Sequence, residues 1–131
     1  MELTRQYHFS AGHRLENAAF SPEDNARIYG QCYRQHGHNY LVEVTVEGQS
    51  DAVTGMAADL GALDDAVKRL VLDRVDHYDL SSAVPSLTGV TTTGENLALA
   101  FWEWIGPYLP RGSLRRVAVY ETDNNPFEYR G

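Results

Sequence analysis

The sequence predicts an α+β fold: a four-stranded antiparallel sheet with two helices packed on one face. Three observations carry that expectation. Polar and apolar residues alternate with a period of two near the N-terminus, over residues 39–47 and again over residues 115–122. Two other stretches, opening near Leu60 and Leu97, repeat apolar residues at helical spacing. The resulting order is strand, strand, helix, helix, strand, strand, which segregates the helices from the sheet.

Along the chain, Leu3, Arg5, Tyr7 and Phe9 alternate with Glu2, Thr4, Gln6 and His8, the pattern of a strand. Gly12 marks a bulge that re-aims His13. Residues 16–31, with Ser21-Pro22-Glu23-Asp24-Asn25 in the middle, read as a loop. Over residues 39–47, Tyr40, Val42, Val44 and Val46 take one face and Leu41, Glu43, Thr45 and Glu47 the other. Asp59 is placed to cap a helix whose stripe is Leu60, Leu63, Val67, Leu70, Val71 and Val75. Pro85 and Gly89 mark a connection. Thr92 and Glu95 fit a capping box for a second helix, with Leu97, Phe101, Trp104, Ile105 and Tyr108 as its stripe. A third strand runs over residues 115–122. The turn Asp123-Asn124-Asn125-Pro126 then returns a short fourth strand over residues 127–130.

At 131 residues the chain is read as a single domain, residues 1–131, and such a chain buries about two-thirds of its unfolded surface. A hydrophobic content of 43% argues against disorder. No apolar run approaches the ~20 residues that span a bilayer, and the N-terminus has no signal-peptide core, so a soluble cytoplasmic protein without a membrane partner is expected. The net charge of −7 disfavours nucleic acid as a partner. That charge is uneven: residues 1–40 hold four arginines and four acids, residues 41–131 seven basic and fourteen acidic side chains. The single cysteine, Cys32, has no internal disulfide partner and is either inert or chemically used. A small open sheet leaves two unpaired edges, which closure between copies would remove, so a homo-oligomer is expected.

The chemistry-bearing stretch is Cys32-Tyr33-Arg34-Gln35-His36-Gly37-His38. Two imidazoles two residues apart point to one face of a strand, and their parity continues that of Tyr40 and Val42. His13 ends the preceding strand. If the two strands pair, three imidazoles meet at one point, the ligand set of a catalytic Zn²⁺ with an open position. A closed structural site with Cys32 as fourth ligand fits the same residue types, and His-x-His alone is a weak signal.

Several colinear segments together resemble the 6-pyruvoyl-tetrahydropterin synthase and 6-carboxy-tetrahydropterin synthase family. They are Phe9-Ser10-Ala11-Gly12-His13-Arg14-Leu15, Cys32…His36-Gly37-His38-Asn39-Tyr40, Thr54-Gly55-Met56, Val75-Asp76-His77, Thr93-Gly94-Glu95-Asn96-Leu97-Ala98 and Val119-Tyr120-Glu121-Thr122-Asp123-Asn124-Asn125. The resemblance implies the tunnelling fold, with strands closing into a barrel across a trimer and two trimers stacking as a hexamer. It implies 7,8-dihydroneopterin triphosphate as substrate and Zn²⁺ as cofactor, with His13, His36 and His38 as ligands. It makes Cys32 the catalytic thiol, Asp76 and His77 an acid–base pair expected from a neighbouring subunit, Glu121 the carboxylate that grips the pterin, and Thr93 a pterin contact.

Two departures bear on the reaction. Only three residues separate Cys32 from His36, a shorter gap than in the animal pyruvoyl synthases. The short gap resembles the bacterial 6-carboxy enzymes of the queuosine (7-deazaguanine) pathway, which expel acetaldehyde as well as triphosphate. The expected product is therefore 6-carboxy-tetrahydropterin. The alternatives are elimination of triphosphate alone to give 6-pyruvoyl-tetrahydropterin, and a pterin-binding scaffold with a structural zinc. Gly94 also stands where the resembled family commonly has a larger, often hydroxyl, residue.

Overall fold

The first two strands pair along their whole length, and that pairing builds the end of the molecule where the histidines lie. A computed structural model describes residues 1–122 and 124–131. Strand β1 (Glu2–His13) runs antiparallel to β2 (His36–Glu47), β2 to β3 (Leu114–Tyr120), and β3 to β4 (Pro126–Tyr129), in the order β1-β2-β3-β4. Between β1 and β2 lie α1 (Pro22–Tyr29) and a 3-10 turn over Gly30–Tyr33. Between β2 and β3 come α2 (Leu60–Val67), a π turn over Lys68–Leu72, a short α3 (Asp73–Val75) and α4 (Gly94–Ile105).

One sheet face packs on α2, α3 and α4. Phe9, Tyr40, Val42, Val44, Val117 and Val119 from the strands are buried against Leu63, Val67, Val71, Leu97, Phe101 and Ile105 from the helices. The stripe read from Leu63 to Val75 is buried as expected, with the π turn in place of one continuous α-helix. Phe9 stacks on Tyr40 with ring centroids 4.6 Å apart and meets Phe101 edge-on at 5.9 Å. Arg5 and Tyr7 clamp α2 to β1 through Asp64, which accepts from the Arg5 guanidinium at 3.0 and 2.9 Å and from the Tyr7 hydroxyl at 2.7 Å.

Several boundaries differ from the sequence reading, each for a local reason. Residues 16–31 are not a plain loop, because Ser21 caps α1, its hydroxyl accepting from the Asp24 N–H at 3.1 Å with Pro22 at the first helical position. Only Asn25 of that helix is buried, so no apolar stripe announced it. Gly12 makes no bulge: Gly12 faces Gly37 and His13 faces His36 in unbroken register. The register instead slips at Thr45/Val46, between β2 and β3. The cap of α4 is Thr93 rather than Thr92, its hydroxyl accepting from the Asn96 N–H at 3.3 Å. Strand β3 stops at Tyr120, so Glu121 follows the strand instead of lying on it. Of the turn read after it, Asp123 lies outside the described residues. No helix is long and apolar enough to cross a membrane among the described residues.

Candidate metal centre and active site

Register decides the geometry of the histidines. His13 stands opposite His36, and Ala11 opposite His38, so alternation sends all three rings to one side of the β1–β2 end. Ring centroids are 4.6 Å apart for His13–His36, 5.0 Å for His13–His38 and 4.9 Å for His36–His38. One ligand nitrogen from each ring lies within 4.8 Å of the others. Gly37 holds the strands close here, since a Cβ on it would lie 3.3 Å from the Ala11 carbonyl oxygen.

Hydrogen bonds fix two tautomers. His13 Nδ1 lies 3.0 Å from the Thr92 carbonyl oxygen, and His36 Nδ1 lies 2.6 Å from that of Arg34. A carbonyl can only accept, so both Nδ1 atoms carry the proton, and in the neutral form of each ring Nε2 is the atom with the lone pair. The Nε2 atoms of His13 and His38 are buried and have no hydrogen-bond partner. An unpaired buried polar atom is costly, and a cation at the centre of the triangle satisfies both. Burial is the main force lowering the His13 pKa, to about 4; the Thr92 carbonyl opposes it, and repulsion from His36 and His38 adds to it. Burial, then His36, also lowers His38. Both rings are therefore neutral at pH 7, the form a metal takes. The residues fit a zinc ion by donor type, tautomer and the missing partners.

The remaining expected residues are placed as follows. Cys32 is exposed in the 3-10 turn, and its thiol is not part of the cluster of potential ligand atoms among the described residues. Its carbonyl accepts from the Leu15 N–H at 2.7 Å, tying the turn to the chain just beyond His13. His77 Nδ1 lies 2.8 Å from Asp76 Oδ1, and the same oxygen accepts from the Ser10 N–H at 3.0 Å. Asp76 thus anchors the segment to β1 as well as holding the imidazole. His77 has a positive φ of 65°, unusual for a residue with a Cβ, and its N–H donates to the Ser10 carbonyl at 2.6 Å. His77 and His38 of one chain line the same open concavity, together with Ser10, Gly37 and Asn39.

Glu121 is half-buried just beyond β3. Burial raises its carboxyl pKa, the nearby Glu95 raises it further, and His36 pulls the other way. Glu121 is thus within electrostatic range of Glu95, in the first turn of α4, and of His36. Thr93 uses its oxygen as the cap acceptor, which leaves its hydroxyl proton free to donate. Sequence reasoning missed Thr92, whose carbonyl orients His13, and the fully buried Tyr40, whose hydroxyl lies 3.4 Å from His13 Nδ1. The parity shared by His36, His38 and Tyr40 was a signal for the second; nothing local pointed to the first.

Fold and site together define an α+β protein with three converging imidazoles able to hold a metal ion at the end of its sheet, together with an Asp–His pair and a half-buried carboxyl. The family model described as 6-pyruvoyl tetrahydropterin synthase matches residues 2–131. The chain belongs to that family and is an enzyme of its lyase class. It is 41% identical over 129 residues to a 6-pyruvoyl tetrahydrobiopterin synthase of Dictyostelium discoideum, covering 98% of this chain and 95% of the relative. The structure of the Caenorhabditis elegans 6-pyruvoyl tetrahydropterin synthase superposes with a TM-score of 0.93 at 34% identity, covering 100% of this chain and 95% of that one. A 6-carboxy-5,6,7,8-tetrahydropterin synthase of Rickettsia bellii is more distant, 26% identical over 142 residues, covering 95% of this chain and 96% of the relative. These similarities favour the pyruvoyl alternative over the carboxy product expected from the Cys32 spacing.

Proposed function

We propose that the protein converts 7,8-dihydroneopterin triphosphate to 6-pyruvoyl-tetrahydropterin with release of triphosphate. The observation that carries this reading is the triangle of imidazoles with unpartnered buried Nε2 atoms, on a chain similar along its length to pyruvoyl synthases. His13, His36 and His38 would hold Zn²⁺, which supplies Lewis acidity to the substrate's side-chain oxygens when bound. Cys32 acts as the base that takes the proton from the side-chain carbon, and its exposure beside the histidine-bearing strand suits that role. Asp76 holds His77 by Nδ1, leaving Nε2 as the atom that gives and takes protons. Glu121 accepts two hydrogen bonds from the amino-pyrimidine edge of the ring, and the Thr93 hydroxyl donates to it.

The 6-carboxy reaction remains the second reading, favoured by the short gap between Cys32 and His36. A scaffold with structural zinc is disfavoured, since Cys32 stands outside the ligand cluster. We also propose that copies of the chain close their sheets into a barrel and form a hexamer, since β1 and β4 are the outer strands. Product analysis decides between the reactions. Purified zinc-loaded protein and substrate should yield triphosphate and the pyruvoyl product by mass, with no acetaldehyde. Acetaldehyde released in step with a carboxy product would overturn the proposal.

A further inference from the structure

We propose that Phe127 is a positioning residue: its ring, seated on Gly94, sets the gap between the first turn of α4 and the β3–β4 hairpin, and so the fit of a flat heterocycle between Thr93 and Glu121. The proposal rests on the reading of Thr93 and Glu121 as ring-binding groups. Phe127 pairs with Val119, which is fully buried under the helices, so the Phe127 side chain takes the helix-facing side of the sheet. Glu121 follows two residues after Val119 and lies within electrostatic range of Glu95, in the first turn of α4, and of His36, whose register puts it on the helix-facing side.

Across the gap, Gly94 is buried and is the first residue of α4, directly after the Thr93 cap. A Cβ at position 94 would fall 2.1 Å from Phe127 Cδ2 and 2.6 Å from its Cε2 and Cγ atoms. Gly94 is not in the left-handed region, so lack of space, not backbone conformation, excludes a side chain there. Two turns further along α4, Trp102 meets Tyr129 edge-on with centroids 5.3 Å apart. The seam between α4 and β4 is thus closed by two aromatic contacts, and Phe127 is the one beside the site.

An aromatic ring is rigid, and a packed interior answers added volume by displacement. A methyl at position 94 must push either the ring or the α4 turn outward, moving Thr93 relative to Glu121. Replacing glycine by alanine in an ordinary helical conformation is otherwise stabilising, because it restricts the unfolded chain. The effect of the substitution should therefore reverse when the ring is shortened.

The test uses zinc-loaded full-length protein. Neopterin affinity, KM, kcat, zinc content and melting temperature are measured for Gly94→Ala, Phe127→Leu and the double variant. Gly94→Ala should weaken neopterin binding and raise KM about tenfold, leaving kcat within about threefold and zinc content unchanged. The double variant should return within about threefold of the parent affinity and melt above Phe127→Leu alone. Parent-like affinity and KM in Gly94→Ala, or no recovery in the double variant, would overturn the proposal. If Gly94→Ala does not fold, Phe127→Leu decides: weaker neopterin binding with zinc retained supports the proposal, and unchanged binding ends it. Glu121→Gln separates the two readings. Undiminished neopterin binding in that variant removes the ring site, and Phe127's role with it. Loss of binding there with an unaffected Gly94→Ala removes only the role of Phe127.

Discussion

The two faces of one sheet handle polar groups in opposite ways. On the helix-free face, Glu43 accepts from Gln6 at 2.9 Å, from Tyr120 at 2.7 Å and from Arg116 at 3.2 Å, while Arg116 also pairs with Glu128. The Gln6 amide, then Tyr120 and Arg116, hold the Glu43 carboxyl below its ordinary range against the effect of burial. The charged groups of that cluster find their partners within the chain. On the helix-facing side, at the β1–β2 end, two buried imidazole nitrogens have none. A satisfied network makes structure; an unsatisfied one, held rigid by its neighbours, waits for a ligand.

The contrast can be broken most sharply at the histidines. His36→Ala should abolish stoichiometric zinc by metal analysis and cut turnover by at least about 10³-fold, with the far-ultraviolet dichroism unchanged. Retained zinc would place the metal elsewhere. Next in size is Cys32→Ala, expected to keep its zinc but lose on the order of 10²–10⁴ in kcat, the usual span for a general base. Loss of zinc in that variant would instead make the thiol a ligand and the site structural.

A smaller effect is expected from acid. The His13 pKa lies at about 4 in the folded chain, below the ordinary histidine value, so between about pH 6.5 and 4 the unfolded chain binds more protons. Stability of the metal-free protein contributed by neutral His13 is therefore present above about pH 6.5 and lost as pH falls towards 4. Its size is at most on the order of 3 kcal/mol, readable by urea titration at several pH values. His13→Asn should flatten that dependence. The smallest change belongs to the other face: Glu43→Gln should cost about 1–2 kcal/mol of stability and leave zinc content untouched. A zinc-depleted Glu43→Gln protein would show that the two faces are coupled after all.

Much of this was readable from residue order, and the failures are specific. Helix α1 escaped because a short helix burying only Asn25 has no apolar period, although Ser21-Pro22 carried a start signal. The cap of α4 is one residue later than the capping-box spacing of Thr92 and Glu95 implies, because Thr93 has the same capping propensity. What separates them is tertiary: the Thr92 carbonyl and hydroxyl oxygens both lie against His13 Nδ1, at 3.0 and 3.3 Å, and Thr93 is left to bond the helix. The bulge assigned to Gly12 was unnecessary, because plain alternation in register already aims His13. The preference for a carboxy product came from one spacing, which the similarity of the whole chain outweighs.

Residue order alone determined that strands alternate, that two helices cover one face, and that His36 and His38 share the side of Tyr40, because side-chain direction in an extended chain follows from parity. Only the folded structure decided that His13 lies opposite His36, that carbonyls of Arg34 and Thr92 turn two rings nitrogen-first into the cluster, and that Phe127 fills the space above Gly94. Those facts depend on partners up to 79 positions apart, as for His13 and Thr92, and contacts at that range are set by register and packing, which no local pattern encodes.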